Sequence, residues 1–394
     1  MKRVCFVMHA DVFTPWPVVR AVREITQLKE HGYEVHVVSW IKDDLSLPSE
    51  EIRENIHIHR FLLKPPKASF FKRVRTYRKI IKEISNKVIE LKPLAIVCHD
   101  LEILRAGVVA KKKLNVPLFF DAHENWPAMV AENSGLEAKI FASMEKKLLR
   151  HVTHSYTYGN DLTEKYRKMG HAAATLYNSK SLDAIPTIAG DESQKIRTGL
   201  GLKKDDFVIG FAGSASLENG IQQTADSLQK LPENFKFLVV GGSGRSEDLT
   251  KARKYAHKKG VLKRVIFTGR VDPGTMLKDI AAFDCGTALF HPLSPNHVAR
   301  VPNKLFDYMA QSIPMIVSDF PNMRKIVVEE ARCGYAVEPM DIEGITGIIK
   351  DLSTHPEKAK EMGKNGRRMF EKEYCWDMQK KKLVDSHPIW RGEL

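Results

Sequence analysis

One lysine lies at the start of a predicted helix in the second half of the chain, where a positive charge is unexpected. The segment 301–310 opens with Pro302 and Asn303, which is typical of a helix start. Helix N-termini carry a partial positive charge, so Lys304 costs about 0.3 to 1 kcal/mol there unless it meets an anion. We therefore predict that Lys304 binds phosphate and that Asp307, one turn further on the same face, accepts hydrogen bonds from ribose hydroxyls. A solvated lysine and a helix-stabilising aspartate are the alternative.

Small residues follow two predicted strands in the same half. Gly213 and Ser214 follow the strand that ends at Phe211, and they would let a phosphate or ribose approach the backbone, although a plain tight turn fits equally well. The glycine-rich run 241–244 lacks the third glycine and the spacing of a dinucleotide fingerprint, so ordinary loop geometry is favoured there. The loop 9–14 after the first strand has no such fingerprint either, which argues against a dehydrogenase.

Carboxylates and imidazoles close two predicted strands in the first half. Asp121, His123 and Glu124 follow an apolar strand. A histidine at such a position can donate or accept a proton near neutral pH, and a carboxylate can bind substrate hydroxyls. A loop histidine satisfied by its neighbours is the alternative. His99 and Asp100 follow another strand and leave the same two interpretations open.

All these residues depend for their positions on strands that alternate with helices. Apolar, β-branched runs followed by helical patterns are typical of parallel sheets with crossover helices. The pattern occurs twice, so the sequence predicts an α/β protein with two Rossmann-like, doubly wound parallel-sheet domains, whose ligands bind beyond the carboxyl ends of the strands. The predicted strands are Arg3–Met8, Glu34–Ser39, Ala95–Cys98, Leu118–Phe120, Phe207–Phe211, Phe235–Val240, Val265–Thr268, Cys285–Leu289, Met315–Val317 and Gly334–Val337.

The length of the chain, 394 residues, also favours two domains, because one core of this size is unusual. A polar, breaker-rich stretch from Ser179 to Asp191 separates the two halves and predicts a linker. We therefore expect an N-terminal domain at 1–180 and a C-terminal domain at 195–372. The tail 373–394 contains aromatic residues but no further strand, and we expect it to pack back on the first domain.

Composition excludes several protein classes. Hydrophobic residues make up 43% of the chain and charged residues 28%, which excludes a disordered or fibrous protein. The first apolar run stops at His9, which is too short for a signal peptide, and nothing approaches the roughly 18 apolar residues of a membrane span. The five cysteines are scattered without C-x-x-C spacing, so we expect reduced core residues rather than disulfides or zinc ligands. These features predict a cytoplasmic protein.

The net charge of +14 favours anionic partners. The segment 64–92 holds ten Lys or Arg and two acidic residues, with apolar residues at every third or fourth position, which predicts an amphipathic basic helix. Peripheral contact with an anionic membrane is one interpretation. Packing of the apolar stripe on the domain's own sheet is the favoured one. Basic and aromatic residues do not interleave as in RNA-binding segments, which argues against nucleic acid.

Four blocks of the sequence resemble glycosyltransferase family 4, the group 1 glycosyltransferases of GT-B fold, over nearly the whole chain. The most specific block is 302–310 with Ser318 and Asp319, and the others are 20–32, the segments 99–100 with 121–124, and 211–214. The resemblance implies two Rossmann-like domains that face a cleft. The second domain would hold the nucleotide, and the first would supply the acceptor side.

The resemblance also assigns roles to matching positions. Lys304 is similar to the family's diphosphate-binding lysine, Asp307 to its ribose-binding acidic residue, and His123 to a histidine near the transferring sugar. Gly213 and Ser214 match the small loop beside the diphosphate. The remaining candidates for binding the nucleotide-sugar are Asn303, Arg270 and Arg20.

These matches imply a retaining transfer of a hexosyl group from a UDP- or GDP-linked sugar to a glycan or lipid-linked acceptor, with no metal and no cofactor beyond the nucleotide-sugar itself. Lys304 would stabilise the charge on the departing diphosphate. We expect its side chain to be largely exposed to solvent before the donor binds. If the segment 64–92 contacts lipid, the protein would lie at the inner face of the membrane.

Two positions depart from the family pattern. Ala299 stands where an acidic residue often precedes the ribose carboxylate by eight positions, and Asn219 stands where Arg or Lys often precedes a glycine. Arg300 or Arg270 would have to compensate for the missing charge. These departures favour a catalytically silent binding subunit as one alternative. A sugar-nucleotide epimerase of the same fold is the nearest enzymatic alternative.

Overall fold

The computed structural model describes residues 2–13, 18–65, 70–131, 134–188, 190–243 and 246–394. Thr14 of the first loop, Gly244 of the glycine-rich run and residues 66–69 of the basic segment lie outside these ranges. The chain divides into two compact units, the first made of Met1–Asn178 with Lys380–Leu394 and the second of Ser179–Gln379. Each unit is an α/β structure built on one sheet, which confirms the predicted fold class.

Up to residue 178, the described part of the first unit forms eight strands and six helices. The strands are β1 (Arg3–Met8), β2 (Glu34–Ile41), β3 (Glu50–Arg53), β4 (Ile56–Leu62), β5 (Ala95–His99), β6 (Leu118–Ala122), β7 (His154–Thr157) and β8 (Ala173–Thr175). The helices are α1 (Val19–Glu30), α2 (Phe70–Leu91), α3 (Leu101–Leu114), α4 (Trp126–Ala131), α5 (Gly135–Leu149) and α6 (Asn160–Lys168).

The strands of the first unit form one sheet in the order β3-β4-β2-β1-β5-β6-β7-β8. The edge strand β3 is antiparallel to β4, and the other pairs are parallel. Helices α2 and α3 contribute to the apolar core on one face, and α1 contributes to the core on the other. Because both faces are covered, the central strands β1, β5 and β6 are apolar almost throughout.

The described residues of the second unit form six strands and nine helices, and a tenth helix, α16, begins in this unit and continues into the residues of the first. The strands are β9 (Phe207–Ala212), β10 (Phe235–Val240), β11 (Val265–Gly269), β12 (Cys285–Ala288), β13 (Met315–Ser318) and β14 (Gly334–Val337). The helices are α7 (Gly190–Gly199), α8 (Ile221–Leu228), α9 (Ser246–Lys258), α10 (Pro273–Ile280), α11 (Pro295–Ala299), α12 (Lys304–Ala310), α13 (Pro321–Arg324), α14 (Ile342–Thr354), α15 (Pro356–Met369) and α16 (Trp376–Ser386).

All strand pairs of the second sheet are parallel, in the order β11-β10-β9-β12-β13-β14. Loops that follow the strands therefore gather at one edge of the sheet, where ligands of such sheets bind. Short irregular helical segments complete the fold. They are the 3₁₀ turns Leu182–Ala184, Leu217–Asn219, Leu262–Arg264 and Pro388–Arg391 and the π-helical segments Lys325–Glu330 and Phe370–Tyr374.

Every one of the ten predicted strands is present, with ends within two residues of the prediction. The strand at Arg3–Met8 lies in the middle of the first sheet, so the opening apolar run is a buried strand as predicted. Four strands were missed. Strand β3 is charged and lies at the edge, β4 alternates apolar with histidine and arginine residues, and β7 and β8 have four and three residues. None of these four segments forms the apolar, β-branched run on which the predictions depended.

The predicted basic helix is α2, and its apolar stripe packs inside the first unit. Ile80, Ile81, Ile84 and Val88 are buried in the core, which confirms the favoured interpretation for these residues. All five cysteines of the chain are buried and free, as predicted. No helix among the described ranges combines the length and hydrophobicity needed to cross a membrane.

Residues 380–394 belong to the first unit. Trp390 is fully buried there, and its indole Nε1 donates a hydrogen bond of 2.8 Å to the Tyr156 hydroxyl. Gln27 of α1 donates through Nε2 to the Trp390 carbonyl at 2.9 Å. These contacts attach the end of the chain to the face of the sheet that α1 covers. Residues 373–379 of the predicted tail belong to the second unit.

Candidate functional site

Lys304 lies at the first position of α12, and the helix is buried along its whole length. The Tyr308 hydroxyl accepts a hydrogen bond from the Ala212 N–H at 3.0 Å and donates one to the Thr287 carbonyl at 3.1 Å. These bonds attach α12 to the ends of β9 and β12. The Lys304 side chain is drawn in with the helix and is only 9% exposed. The expectation that it is largely exposed to solvent is therefore wrong, and the anchoring of Tyr308 is the physical reason.

The glycine loop after β9 lies against the Lys304 ammonium. A Cβ atom on Gly213 would lie 3.7 Å from the Lys304 Cε and 3.9 Å from its Nζ. Gly213 has φ +116°, a left-handed conformation that favours glycine. Gly241, at the end of β10, also has φ +116°, and a Cβ there would lie 2.4 Å from the Gly213 carbonyl oxygen. The two glycines thus let two strand ends approach each other next to the lysine.

The surroundings of Lys304 are aromatic and basic. Its Nζ lies 3.4 Å from the centroid of the Phe211 ring and 5.4 Å from that of Phe290. Burial, and then the positive charge of Arg300, hold the pKa of Lys304 well below its usual value. Among the described residues, no carboxylate lies within ion-pair distance of this ammonium. The arrangement leaves the charged form of this lysine without an anion.

Asp307 lies one turn further along α12, but its carboxylate is already paired. The Lys180 ammonium donates a hydrogen bond to its Oδ1. Asp307 is buried, and Lys180 is about one-fifth exposed. The acidic residue that could neutralise Lys304 is thus neutralised by another lysine. The sequence did not single out Lys180, because the segment around it carries no helical or strand pattern.

Ser214 lies on the surface and lines a cavity of about 460 Å³ at the same edge of the second sheet. Asn219, Ser243 and Lys251 also line it. The Asn219 amide donates to the Ser214 carbonyl at 3.0 Å, so a neutral bond that orders the loop stands where the family often has a cation. The cavity is open, polar and adjacent to the glycine loop, and the carboxylates of Glu218 and Asp248 line it together with Lys251.

The other predicted residues of the second unit lie around this edge. Asn303 and Arg270 are exposed, and the Arg270 backbone N lies 3.3 Å from the position of a Cβ on Gly242. Arg300 stacks on the Phe290 ring at 4.9 Å from the centroid. Ala299 is the other position that departs from the family pattern. Its carbonyl accepts a hydrogen bond of 2.6 Å from the Asn322 amide. Gly213 and Lys304 are the predicted residues brought into closest contact here.

The first unit brings a second set of predicted residues together at the ends of β5 and β6. Arg20 of α1 donates from Nε to Asp121 Oδ2 at 2.6 Å, from Nη2 to Asp121 Oδ1, and from Nη1 to the Leu176 carbonyl at 2.7 Å. Both partners of this bidentate pair are almost completely buried. Arg20 Nη2 also lies 3.3 Å from His123 Nδ1. Arg20 is thus held inside the first unit by groups of that unit.

His123 continues this chain of contacts toward a carboxylate that the sequence did not indicate. Its Nε2 lies 2.9 Å from His99 Nδ1, and His99 Nε2 lies 3.3 Å from Glu24 Oε2. Since Arg20 can only donate, we assign His123 Nδ1 as an acceptor and its Nε2 as the donor to His99. Glu24 is four residues after Arg20 on α1. In the sequence, Glu24 is marked only by its position one helical turn after Arg20, which is a weak signal.

Burial lowers the pKa of His123 to about 3, so the ring is neutral at physiological pH. This value does not match the proton exchange near neutral pH that the sequence predicted. Burial opposes the charged form of His99, but the carboxylates of Glu24 and Asp121 outweigh it and raise the pKa of His99. Burial and then the charge of Asp121 raise the pKa of Glu24 to about 6. His123 is therefore a hydrogen-bonding group of fixed orientation.

Asp100 is the strained residue of this cluster. Its backbone has φ +70° and ψ 153°, a conformation that costs a residue other than glycine about 1 to 3 kcal/mol. The strain places its Oδ1 3.1 Å from the His123 N–H, which donates to it. Its Oδ2 lies 3.7 Å from His9 Nδ1. Burial raises the pKa of Asp100 to about 7. Strain and a shifted pKa together are typical of functional sites.

A metal ion is one possible ligand of this cluster. Ligand atoms of His99, Asp121 and His123 lie within 4.8 Å of one another. Arg20 already binds both oxygens of Asp121, however, and a cation would have to stand beside its guanidinium. The donor set therefore does not favour a metal here.

Comparison with known proteins identifies the family. The description "Glycosyl transferases group 1" matches residues 192–369, and "Glycosyl transferase 4-like domain" matches residues 17–176. The chain belongs to the group 1 glycosyltransferases. The predicted resemblance to glycosyltransferase family 4 is confirmed.

Curated relatives of this group 1 glycosyltransferase are distant. Spore coat protein SA of Bacillus subtilis (strain 168) is 24% identical over 251 residues, which are 59% of this chain and 63% of the relative. D-inositol 3-phosphate glycosyltransferase of Xylanimonas cellulosilytica is 24% identical over 203 residues, 51% of this chain and 47% of the relative. The chain thus spans about half to two-thirds of the length of these relatives.

Solved structures resemble the group 1 glycosyltransferase over its whole length. Sucrose-phosphate synthase from Thermosynechococcus elongatus has a TM-score of 0.77 and 16% identity, and 98% of each chain is covered. HepE from Anabaena, in complex with UDP, has a TM-score of 0.76 and 15% identity over 98% of this chain and 99% of HepE. At this identity the likeness shows the fold, which is GT-B.

Proposed function

We propose that this chain is a retaining, metal-independent glycosyltransferase that moves a hexosyl group from a UDP- or GDP-linked sugar to a glycan or lipid-linked acceptor. One observation carries the proposal. The buried Lys304 ammonium lies beside Gly213, while the nearest acidic residue on its helix, Asp307, is paired with Lys180. The diphosphate of a nucleotide-sugar supplies the anion that this cation needs. The UDP bound by HepE supports uridine nucleotides as the first donors to test.

In this mechanism, the bond between the sugar and the diphosphate breaks toward an oxocarbenium-like state, and negative charge grows on the departing phosphate. The acceptor hydroxyl oxygen bonds to the anomeric carbon on the face that the diphosphate leaves, and its proton passes to the departing diphosphate. Lys304 stabilises that charge in a site where burial makes the interaction strong. Gly213 and Ser214 offer close backbone approach and a hydroxyl, while Arg270 and Asn303 are further candidates for contacting the donor. Asp307, held by Lys180, accepts hydrogen bonds from the ribose hydroxyls.

We assign the acceptor side of the reaction to the first unit. His123 is neutral and fixed between Arg20 and His99, so it binds a hydroxyl of the sugar or acceptor rather than exchanging a proton. Arg20 was a candidate for binding the donor. Its bidentate bond to Asp121 supports a positioning role instead, in which Arg20 sets the tautomer and orientation of the His123 ring.

The test is donor turnover by Lys304 variants. We expect Lys304→Met to lower kcat/KM with UDP- or GDP-hexose by about 10²- to 10³-fold, the usual cost of removing one charge-stabilising group. Lys304→Arg keeps the charge and should retain part of the rate, and Lys278→Met, an exposed lysine on α10, should match the native protein. Native turnover by Lys304→Met contradicts the proposal. Magnetic resonance of the anomeric proton tests retention, and turnover in EDTA tests metal independence.

The same assay separates the alternatives. A sugar-nucleotide epimerase converts the donor into its epimer without any acceptor. A silent binding subunit binds UDP but neither transfers nor hydrolyses the sugar. Asn219, which makes a loop bond in place of a cationic contact, is the feature that favours the silent subunit. Donor hydrolysis above background, abolished in Lys304→Met, counts against the silent subunit. A labelled product that forms only when an acceptor is present counts against the epimerase.

We also propose peripheral contact with an anionic membrane through the basic segment 64–92. Two adjoining cavities of about 750 and 410 Å³ lie between α2, α3 and α5. Arg73 and Arg78 line one of them and Lys112 and Lys147 line the other, while the apolar side chain of Ile140 reaches both and is 51% exposed. Glu102 and Glu137 also line the cavity beside α2, and Glu137 lies 3.8 Å from Arg73. An apolar surface with a mostly basic rim suits an anionic lipid face.

Vesicle flotation tests this contact. Each basic residue near an anionic surface contributes about 1 kcal/mol, so Arg73→Glu with Arg78→Glu should weaken binding to vesicles that contain phosphatidylglycerol at least tenfold. Lys350→Glu with Lys364→Glu makes the same charge change on exposed positions of the second unit and should have no such effect. Equal binding to pure phosphatidylcholine vesicles, or equal loss in both double variants, contradicts the proposed contact.

A further inference from the structure

Histidines and acidic residues gather on one face of the first sheet, at the opposite end of the strands from the His99–His123 cluster. Glu34 is the first residue of β2, and His36 is two positions later on the same face. In the β2–β4 register, His36 pairs with His57, and in the β3–β4 register Glu50 pairs with His59. Three neighbouring strands therefore direct these five residues to one side.

The distances within this cluster match a small coordination site. His36 Nε2 lies 2.8 Å from Glu34 Oε1, and His57 Nε2 lies 3.8 Å from the same oxygen. Ligand atoms of Glu34, His36 and His57 all lie within 4.8 Å of one another. Ligands in a tetrahedral zinc site with bonds of about 2.1 Å are about 3.4 Å apart. The observed spacings bracket that value.

One ligand atom of the cluster has no partner. Glu34 Oε2 is buried and makes no hydrogen bond, while Oε1 receives the Arg3 guanidinium at 3.3 Å. A buried carboxylate oxygen without a partner costs about 1 to 3 kcal/mol or more, so it points to a missing ligand. The His57 ring is stacked on His36 at 4.6 Å between centroids and its side chain is 34% exposed, which leaves one side of the site open to water.

Hydrogen-bond counting leaves room for a metal ion in this cluster. His36 Nδ1 lies 3.1 Å from His59 Nε2, and His59 Nδ1 lies 3.3 Å from Glu50 Oε1. Glu34, His36, His59 and Glu50 form a row joined by three contacts. Each contact needs a proton or a cation between its two atoms. Two neutral imidazoles supply two protons. The third contact is filled either by a further proton on one imidazole or by a metal ion between Glu34 and His36.

The charges around the cluster allow such a site, because the Arg3 guanidinium contacts only Oε1 of Glu34, whereas Arg20 binds both oxygens of Asp121. Arg3 lies beside Glu34, and Lys87 of α2 lies 3.3 Å from Glu50, so the two carboxylates stay anionic. Glu90 is the other acidic residue paired with Lys87, at 3.3 Å. Glu34 remains the ligand with an unused oxygen.

We propose that Glu34, His36 and His57 bind one divalent transition-metal ion, preferentially zinc, with water in the fourth position. Two histidines and a glutamate are a donor set that zinc accepts. His59 and Glu50 act as positioning residues, because they hold the other nitrogen of His36 in its protonated form. The ion fastens β4 to β2 near the edge of the sheet. This site is independent of the proposed sugar transfer.

The experiment is zinc binding by the full chain, without an affinity tag and after treatment with a chelator. In competition with a chromophoric zinc indicator, we expect one zinc ion per chain. Glu34→Gln and His57→Gln change partly exposed ligands and should each weaken binding at least tenfold. His59→Gln should weaken it about 10- to 100-fold, as is usual for a residue that orients a ligand. His257→Gln, an exposed histidine on α9, is the matched control and should bind as the native chain does.

Cobalt in place of zinc gives a second measurement, because its visible absorption reports nitrogen and oxygen ligands in a tetrahedral site. We expect that spectrum in the native chain and in His257→Gln, and its loss in His57→Gln. Less than one equivalent of zinc in the native chain overturns the proposal. Unchanged affinity in both Glu34→Gln and His57→Gln also overturns it, since zinc would then be bound elsewhere. The thermal unfolding temperature of each variant without zinc shows that it is folded.

Discussion

In the first unit, the charges at the carboxyl ends of the strands neutralise one another. In the second unit, Lys304 has no acidic partner among the described residues. Arg20 and Asp121 form a buried bidentate pair, and the neighbouring imidazoles connect it to Glu24. Lys304 has aromatic rings and a glycine loop around it instead, and Asp307 is occupied by Lys180. Both clusters are buried, so the difference lies in their partners.

The comparison separates two uses of a buried charge. A buried ion pair is costly to break, because the group left behind is a charge without water or partner. A buried charge without a partner is costly while it stays unpaired, and a ligand of opposite charge removes that cost. The first cluster is therefore suited to holding a ring in one orientation. The second is suited to binding an anion that arrives from outside.

The largest effect should come from breaking the first cluster. We expect Arg20→Met to lower the free energy of unfolding of the first unit by about 3 to 5 kcal/mol, because Asp121 is left charged and buried. Amide hydrogen exchange in β6, which carries Asp121, measures the loss locally. Lys29→Met is the control on the same helix, since the Lys29 ammonium donates to the backbone carbonyl of Glu54. Equal protection of β6 in both variants would contradict the role of the pair.

Replacement of Lys304 should change the free energy of unfolding in the opposite direction. Replacing a buried unpaired lysine by an apolar side chain of similar length should leave stability unchanged or raise it by about 1 to 4 kcal/mol without donor. Lys165→Met gives the contrast, because it removes the partner of the buried Glu145 and should destabilise its unit. Urea unfolding of both variants, without nucleotide, checks the prediction. A clear loss of stability in Lys304→Met would show that the lysine is a structural group.

Nucleotide binding should also take up a proton at Lys304. The pKa of the free lysine is lowered and a bound diphosphate raises it, so between these two pKa values binding adds a proton and affinity falls as the pH rises. The fall is at most about tenfold per pH unit. Calorimetry of UDP binding at about pH 8, where the UDP phosphate is ionised, in buffers of different ionisation enthalpy counts the protons. Lys304→Arg stays charged and should show no uptake.

The smallest effect concerns the departure at Asn219. This residue lines the cavity beside the glycine loop, so Asn219→Arg should add a cation near the diphosphate. At such an open position, we expect a gain in UDP affinity of about 0.2 to 1 kcal/mol that disappears at high salt. Titration of UDP at low and high ionic strength measures it, with Asn219→Gln as the uncharged control. An equal gain in both variants would assign the effect to loop geometry.

The sequence by itself was sufficient for the architecture of both units. The strands of both sheets that it identified are local apolar runs, and their order along the chain, alternating with helices, is enough to specify parallel sheets. It also marked Lys304, Gly213, Asp121 and His123, because strand ends and helix starts carry local signals. The sequence did not predict strands β3, β4, β7 and β8, because short, polar or edge strands have no comparable apolar run.

The tertiary structure alone decided which of these groups are charged, exposed or paired. Arg20 meets Asp121 across 101 residues of chain, and Lys180 meets Asp307 across 127. No local pattern contains such contacts, and the burial that shifts the pKa values of Lys304 and His123 arises only when the helices close over the sheets. The residue types at the strand ends were enough to predict reactive groups there. Packing determined whether each group is charged, exposed or paired.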